Sequence, residues 1–206
     1  MLFRAPGKRL YAITPDLADT DLLLEQCSAA LNAGIGALQY RNKTASAELR
    51  RIQARDLNAL CLDFGTPLII NDDWQLAKEI GAAGAHLGRD DGSLVAGRRA
   101  FDGVLGVSCY NQLDAALEAE QAGADYVAFG SFFKSDVKPD AIEAKLDLLE
   151  QAQQRLSIPV IAIGGITLAN AARVRAAGAD AVAVISGVFA QRDIGAAVMA
   201  FNKLLD

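Results

Sequence analysis

Short apolar runs rich in Val, Ile and Tyr alternate along the chain with longer segments of helical period. The runs at 9–14 (RLYAIT), 37–41 (ALQYR), 67–71 (PLIIN), 84–87 (GAHL), 104–108 (VLGVS), 126–133 (YVAFGSFF), 159–164 (PVIAIG) and 181–186 (AVAVIS) predict strands. The stretches between them, such as LLLEQCSAALNAG, AELRRIQARDLNALCLDFG and IEAKLDLLEQAQQRL, predict helices. The strands are nearly continuous in apolar residues rather than alternating, as a parallel sheet covered on both faces requires.

An internal echo supports this reading. NAGIGALQY, AAGAHLG, QAGADYVAFG and AAGADAVAVIS each place an Ala-Gly pair just before a strand. Gly34, Gly84, Gly123 and Gly178 therefore suit helix C-caps, where a positive φ is common. Repeated strand–helix units with no linker, charge block or low-complexity tract predict an α/β fold, a (β/α)8 TIM barrel, as a single domain over 1–206. An open doubly wound sheet is the alternative, but no GxGxxG follows the first strand.

Composition narrows the function. With 206 residues and 52% hydrophobic content, the chain can bury one large core. A formal charge of −5 offers no general field for nucleic acid or an anionic membrane. An anionic ligand must instead be held by locally placed cations and backbone amides. Cys27, Cys61 and Cys109 are sparse and odd in number, without metal-ligand spacing, which suits a reducing compartment. No run of about 18 apolar residues occurs, so a cytoplasmic, soluble protein is expected.

Barrels of this type carry their sites at the carboxyl ends of the strands, and polar residues gather there. Gln39, Tyr40, Arg41, Asn42 and Lys43 follow strand 2; Asn71, Asp72 and Asp73 follow strand 3; Asp91 lies beyond strand 4; Ser108 ends strand 5. Arg41 offers a planar fork for phosphate oxygens and Lys43 a mobile point charge, although two exposed cations could equally pair with carboxylates. Asp72 and Asp91 are hard oxygen ligands of the kind Mg²⁺ takes. A plainer role competes, because Asp72 or Asp73 before WQLAKEI fits a helix N-cap. AIGGIT and VISG end strands 7 and 8, where these barrels often bind phosphate. His86, the one histidine, reads as a packed, hydrogen-bonded residue, Cys109 as a small buried side chain, and Trp74 as packing on the barrel top. There is no Ser-His-Asp or Cys-His set for nucleophilic hydrolysis.

The motifs LYAIT, QYRNK, IINDDWQLA, AHLGRDD, GVSC, DYVAFGSFF, VIAIGGIT and AVAVIS, in this order and spacing, resemble those of the thiamine-phosphate synthase (thiamin phosphate pyrophosphorylase) family over nearly the whole chain. The resemblance implies a Mg²⁺-dependent transferase of thiamine biosynthesis. Such an enzyme condenses 4-amino-2-methyl-5-(diphosphooxymethyl)pyrimidine with a hydroxyethylthiazole phosphate, giving thiamine monophosphate and pyrophosphate by dissociative loss of the pyrophosphate. It implies that Gln39, Tyr40, Arg41, Asn42, Lys43, Asn71, Ser108 and Lys138 hold the pyrimidine diphosphate, with Arg41, Lys43, Ser108 and Lys138 catalytic. It implies Asp72 and Asp91 for the metal, and Ser135, Asp136, Val137, Gly165, Ile185 and Ser186 for the thiazole phosphate.

Two departures from the family pattern stand out. Ser135-Asp136-Val137-Lys138 replaces a usual Thr-x-Thr-Lys, so that Val137 brings no hydroxyl and Asp136 adds negative charge. Tyr110 stands where a histidine often follows the GVS motif. A thiazole tautomerase-like isomerase, which relies on that histidine, and a non-catalytic phosphate-ligand-binding relative are the other readings. The partners expected are small phosphorylated molecules rather than nucleic acid or membrane, with a homodimer left open.

Overall fold

The computed structural model describes residues 2, 3, 7, 9–88, 94–134 and 144–206. Eight strands form a closed parallel barrel in chain order, β1 pairing with both β2 and β8. They are β1 (Leu10–Ile13), β2 (Ala37–Tyr40), β3 (Leu68–Asn71), β4 (Gly84–Leu87), β5 (Val104–Tyr110), β6 (Tyr126–Phe129), β7 (Val160–Ile163) and β8 (Ala181–Val184). The (β/α)8 expectation is met.

Around the barrel lie α1 (Thr20–Asn32), α2 (Ala47–Asp63), α3 (Trp74–Ile80), α4 (Leu94–Ala100), α5 (Leu113–Gln121), α6 (Asp147–Arg155), α7 (Ala171–Ala176), α8 (Ser186–Phe189) and α9 (Ile194–Leu205). The sequence predicts one helix per strand; α8 is an additional short turn between β8 and α9. Side chains of Asp19, Ser46, Asp73 and Asp193 accept hydrogen bonds from the first turns of α1, α2, α3 and α9, satisfying amides that a helix start leaves open. Among the described residues no helix is long and apolar enough to cross a membrane.

The continuous apolar strands divide their side chains between two cores by simple alternation. Leu10, Leu38, Leu68, Val127 and Val160 face the helices. Tyr11, Ala37, Ile69, Tyr126, Ile161 and Ala181 fill the barrel interior, with Phe3 packed against the two tyrosine rings. Large rings in the interior need gaps opposite them. A Cβ on Gly106 would lie 1.9 Å from the Tyr126 ring, so glycine there is what lets the phenol occupy the barrel centre.

Two local expectations are corrected. Gly34, Gly123 and Gly178 have the positive φ of a helix end, but Gly84 does not. The cap of α3 is Gly81 at φ 70°, and Gly84 begins β4, where a Cβ would lie 2.3 Å from the Val104 carbonyl oxygen. The predicted strand over 126–133 stops at Phe129. Beyond it Phe132 and Phe133 leave the ladder and donate their N–H groups to Ile163 O (3.2 Å) and Gly164 O (3.1 Å). Phe132 is buried all the same, so its apolar character reflects loop packing and not sheet pairing. Trp74 opens α3 and packs against Gly97 of α4, in the helix layer rather than over the barrel.

Candidate active site

Three strand ends bring the polar residues together. Gln39 lies two residues after inward-facing Ala37, so it too faces the interior, and continued extension carries Arg41 upward on the same side. Thr14 clamps this extension, its hydroxyl bonding both the N–H and the carbonyl of Arg41 at 2.9 Å. Asp16 adds the electrostatic part. Its two carboxylate oxygens accept from Nη1 of Arg41 at 3.0 and 2.9 Å, and one also accepts from the Lys43 N–H at 2.8 Å. Lys43 is more exposed and places Nζ 3.2 Å from an oxygen of Asp72.

The two aspartates after β3 divide their work. Asp73 is the N-cap of α3, accepting from Leu76 N at 2.8 Å. Asp72 has no capping role: it adopts φ 66°, a left-handed conformation that Asp tolerates better than most residues, and its N–H donates to the His86 carbonyl at 2.8 Å. Its carboxylate is left to the strand-end face, next to Lys43. Asn71 is paired with His86 across β3 and β4, and its side chain makes no hydrogen bond to another described residue.

Beneath this rim a chain of polar side chains crosses the barrel interior. Gln39 Nε2 donates to the Tyr11 hydroxyl at 2.7 Å, and Tyr11 and Tyr126 share a hydrogen bond of 2.9 Å. The Tyr126 hydroxyl is 3.0 Å from Nδ1 of His86, and Nε2 of His86 is 2.8 Å from Ser108 Oγ. Burial pushes the acidity of both phenols well away from the ionised form, so they remain neutral hydroxyls. The packed, hydrogen-bonded reading of His86 agrees with its burial and these two bonds.

On the opposite side, the turns after β7 and β8 sit against the segment after β6. Gly164 (φ 99°) and Gly165 (φ 61°) take conformations that disfavour a side chain. A Cβ on Gly164 would lie 2.0 Å from Ser131 Oγ, and one on Gly165 would lie 2.4 Å from the Lys134 carbonyl oxygen. These glycines thus allow close approach of the loop as well as the turn itself. Gly187 in α8 approaches Ile166 O in the same way, which places the first turn of α8 beside the glycine pair.

The sequence profile described as thiamine monophosphate synthase matches residues 10–188. A thiamine-phosphate synthase of Methylobacillus flagellatus is 51% identical over 203 residues, covering 98% of this chain and 97% of that protein. One from Nitrosomonas eutropha is 50% identical over 197 residues, covering 95% and 93%. The chain belongs to the thiamine monophosphate synthase family. The structure of a thiamine phosphate pyrophosphorylase from Pyrococcus furiosus superposes with a TM-score of 0.87 at 32% identity, covering 97% of this chain and 96% of that one. Membership makes this protein an enzyme and agrees with the resemblance drawn from its motifs.

Within this thiamine monophosphate synthase fold the structure gathers Gln39, Arg41, Lys43, Asn71, Asp72 and Ser108 at the ends of β2, β3 and β5, with Gly165, Ile185 and Ser186 at the ends of β7 and β8. Of the expected ligand-holding residues 39–43, Tyr40 and Asn42 direct their side chains away from that face. Strand alternation turns Tyr40 outward, where its hydroxyl donates to Gln53 Oε1 at 2.8 Å. Asn42 is buried, donating to Leu17 O (2.7 Å) and Gln53 Oε1 (3.1 Å) while its own oxygen accepts from Thr44 and Ala45. Both hold the β2 loop in shape. Asp91, Ser135, Asp136, Val137 and Lys138 lie outside the described residues. Cys109 is buried, and burial pushes its thiol up to about 12. Asp16, Thr14, Tyr11 and Tyr126 were missed from sequence. Asp16 could have been found as an acidic residue three positions past the end of β1.

Proposed function

We propose that this enzyme joins 4-amino-2-methyl-5-(diphosphooxymethyl)pyrimidine to 5-(2-hydroxyethyl)-4-methylthiazole phosphate, forming thiamine monophosphate and pyrophosphate. The observation that carries this reading is Asp72, relieved of capping by Asp73 and set beside Lys43 and Asn71 on the strand-end face. Among the described residues the carboxylate caps no helix and pairs only with Lys43, and its backbone is held at φ 66°.

The bond that breaks joins the pyrimidine methylene carbon to the diphosphate oxygen, which keeps the electron pair. The thiazole nitrogen then supplies the pair for the new C–N bond. Catalysis therefore needs stabilisation of the departing charge rather than a nucleophile or a strong base. Arg41, steadied by Asp16, and Lys43 supply cationic donors; Asn71 and Ser108 supply neutral ones. The donor set fits Mg²⁺, which takes one or two carboxylates and completes its shell with water and substrate phosphate. Asp72 would be the described ligand, and Asp91 enters only by the family resemblance. When bound, the metal would neutralise negative charge on the diphosphate. The Gly164–Gly165 turn and the start of α8 would receive the thiazole phosphate through backbone N–H groups, at the position where such barrels commonly bind phosphate. Both substrates are small phosphorylated molecules of the cytoplasm on this reading.

The isomerase alternative gains no support, since the end of β5 carries Tyr110 where that chemistry would use a histidine. The test is direct. Purified protein supplied with both substrates and Mg²⁺ is expected to release pyrophosphate and form thiamine phosphate in equal amounts. A folded sample that binds both substrates yet forms neither product would sink the synthase reading and leave a binding relative.

A further inference from the structure

The interior chain Gln39–Tyr11–Tyr126–His86–Ser108 has a direction, and the direction determines what Ser108 can do. The amide nitrogen of Gln39 carries only donors, so the Tyr11 oxygen must accept from it. The Tyr11 hydrogen then goes to Tyr126, its other hydrogen-bond partner at 2.9 Å, because a buried hydroxyl left undonated is costly. The Tyr126 hydrogen in turn goes to His86 Nδ1. An Nδ1 that accepts is bare, so the neutral ring carries its hydrogen on Nε2 and donates it to Ser108 Oγ. Ser108, already an acceptor on that side, makes no other side-chain hydrogen bond among the described residues, so its own hydrogen can go to a ligand.

We infer that His86 is a positioning residue, locked as the Nε2–H tautomer by Tyr126, Tyr11 and Gln39, whose task is to aim the Ser108 hydroxyl hydrogen at an anionic oxygen of the ligand. The opposite direction would need the Gln39 carbonyl oxygen against Tyr11. It would also turn the lone pairs of Ser108 toward an anion, where they repel it. The inference rests on the diphosphate reading for the identity of that anion, while the tautomer itself can be read with no ligand present. Packing reinforces the lock. The His86 and Tyr126 rings stack with centroids 5.5 Å apart, and Gly106 leaves the room that Tyr126 fills.

His86 is the only histidine, so nitrogen NMR of uniformly labelled protein reads one imidazole without ambiguity. The expected spectrum has a protonated Nε2 and a bare Nδ1 in the free enzyme, unchanged on adding inorganic pyrophosphate with Mg²⁺. A protonated Nδ1 with bare Nε2 overturns the inference. The second arm is a thermodynamic cycle on pyrophosphate affinity measured by calorimetry. Ser108→Ala is expected to weaken binding about tenfold, the loss of one hydrogen bond to a charged group. Tyr126→Phe, which keeps the ring but leaves Nδ1 without its donor, is expected to weaken it several-fold. In the double variant Tyr126→Phe should add no further loss, because it acts only through Ser108. Fully additive losses mean a general structural effect and overturn the positioning role. Should Tyr126→Phe not fold, the tautomer of the unmodified enzyme decides alone. A wild type that shows the expected tautomer but neither binds pyrophosphate nor forms thiamine phosphate would instead overturn the synthase reading.

Discussion

Asp72 and Asp73 are neighbours of identical chemistry, but only Asp73 caps α3, and the proposed mechanism gives Asp72 the metal. Exchanging each for a close analogue should separate stability from turnover. Asp73→Ala removes the side-chain oxygen that accepts from Leu76 N at 2.8 Å. Loss of such a cap costs typically about 1 kcal/mol. For a chain of 206 residues that corresponds to a fall in Tm of roughly 2–4 °C. Turnover should stay within a few-fold of wild type. Asp72→Asn keeps a residue that tolerates φ 66° and removes only the charge. Its one described ion pair joins a Lys43 side chain 56% exposed to an Asp72 side chain 29% exposed, and exposed pairs contribute about 0–1 kcal/mol. Tm should therefore barely move. If the carboxylate holds Mg²⁺ against the departing diphosphate, about 3 kcal/mol of transition-state stabilisation disappears, a fall in turnover of at least roughly 100-fold. The assay is steady-state thiamine phosphate formation over a series of Mg²⁺ concentrations, paired with thermal denaturation of each variant. Reversal of the pattern, with Asp73→Ala inactive and Asp72→Asn merely less stable, would refute the division of roles.

Four further outcomes are expected. Asp16→Asn should raise the KM for the pyrimidine diphosphate several-fold with a smaller change in kcat, since it loosens Arg41 and the Lys43 backbone together; an unchanged KM would remove Asp16 from the site. Gly106→Ala drives a Cβ into the Tyr126 ring and should cost about 2–3 kcal/mol, read as a lower midpoint in denaturant titration. Chelation of Mg²⁺ should abolish pyrophosphate binding measured by calorimetry, and binding that persists undiminished in chelator would rule out the metal's part. Glu120 supplies a pH dependence: burial pushes its carboxyl up, but hydrogen bonds from Ser157 and Ile158 outweigh that and leave it below the ordinary glutamate value. A lowered folded value means that its contribution is present above the unfolded value of about 4.3 and is lost as pH falls through that range. The Tm difference between wild type and Glu120→Gln should accordingly be largest near neutrality and vanish in acid.

The barrel was legible because parallel strands covered on both sides must be apolar throughout, and the Ala-Gly echo marks where helices return to the sheet. The same signal misled wherever burial has another cause. Phe132 and Phe133 extended the apparent sixth strand although they pack as a loop against the β7 turn. Gly84 shared the echo with three helix caps, yet it is required by the Val104 carbonyl across the ladder. With four residues, α8 is too short to carry a helical period. In the candidate site, adjacency to a strand end pointed to Arg41, Lys43, Asp72 and Ser108, which the fold brings to one face. It could not show that Tyr40 and Asn42 face the helices, which only the alternation set by Ala37 and Gln39 reveals. Tyr11 and Tyr126 stayed hidden because an aromatic within an apolar run is ordinary core until its hydroxyl finds a partner.

The charge pattern at the rim explains how a chain with a net charge of −5 could attract a diphosphate. Arg41 faces Asp16 and Lys43 faces Asp72, so these four side chains are balanced, two positive and two negative. These two pairs cancel at a distance, and the Lys43–Asp72 pair, with Lys43 more than half exposed, is held weakly. The cations of the rim are therefore poised but occupied. A divalent metal on Asp72 would compete with Lys43 for the carboxylate and leave its ammonium available to phosphate oxygen. The positive charge would then appear only when metal and diphosphate arrive together. On this account anion selectivity arises from exchange of partners among Arg41, Asp16, Lys43 and Asp72.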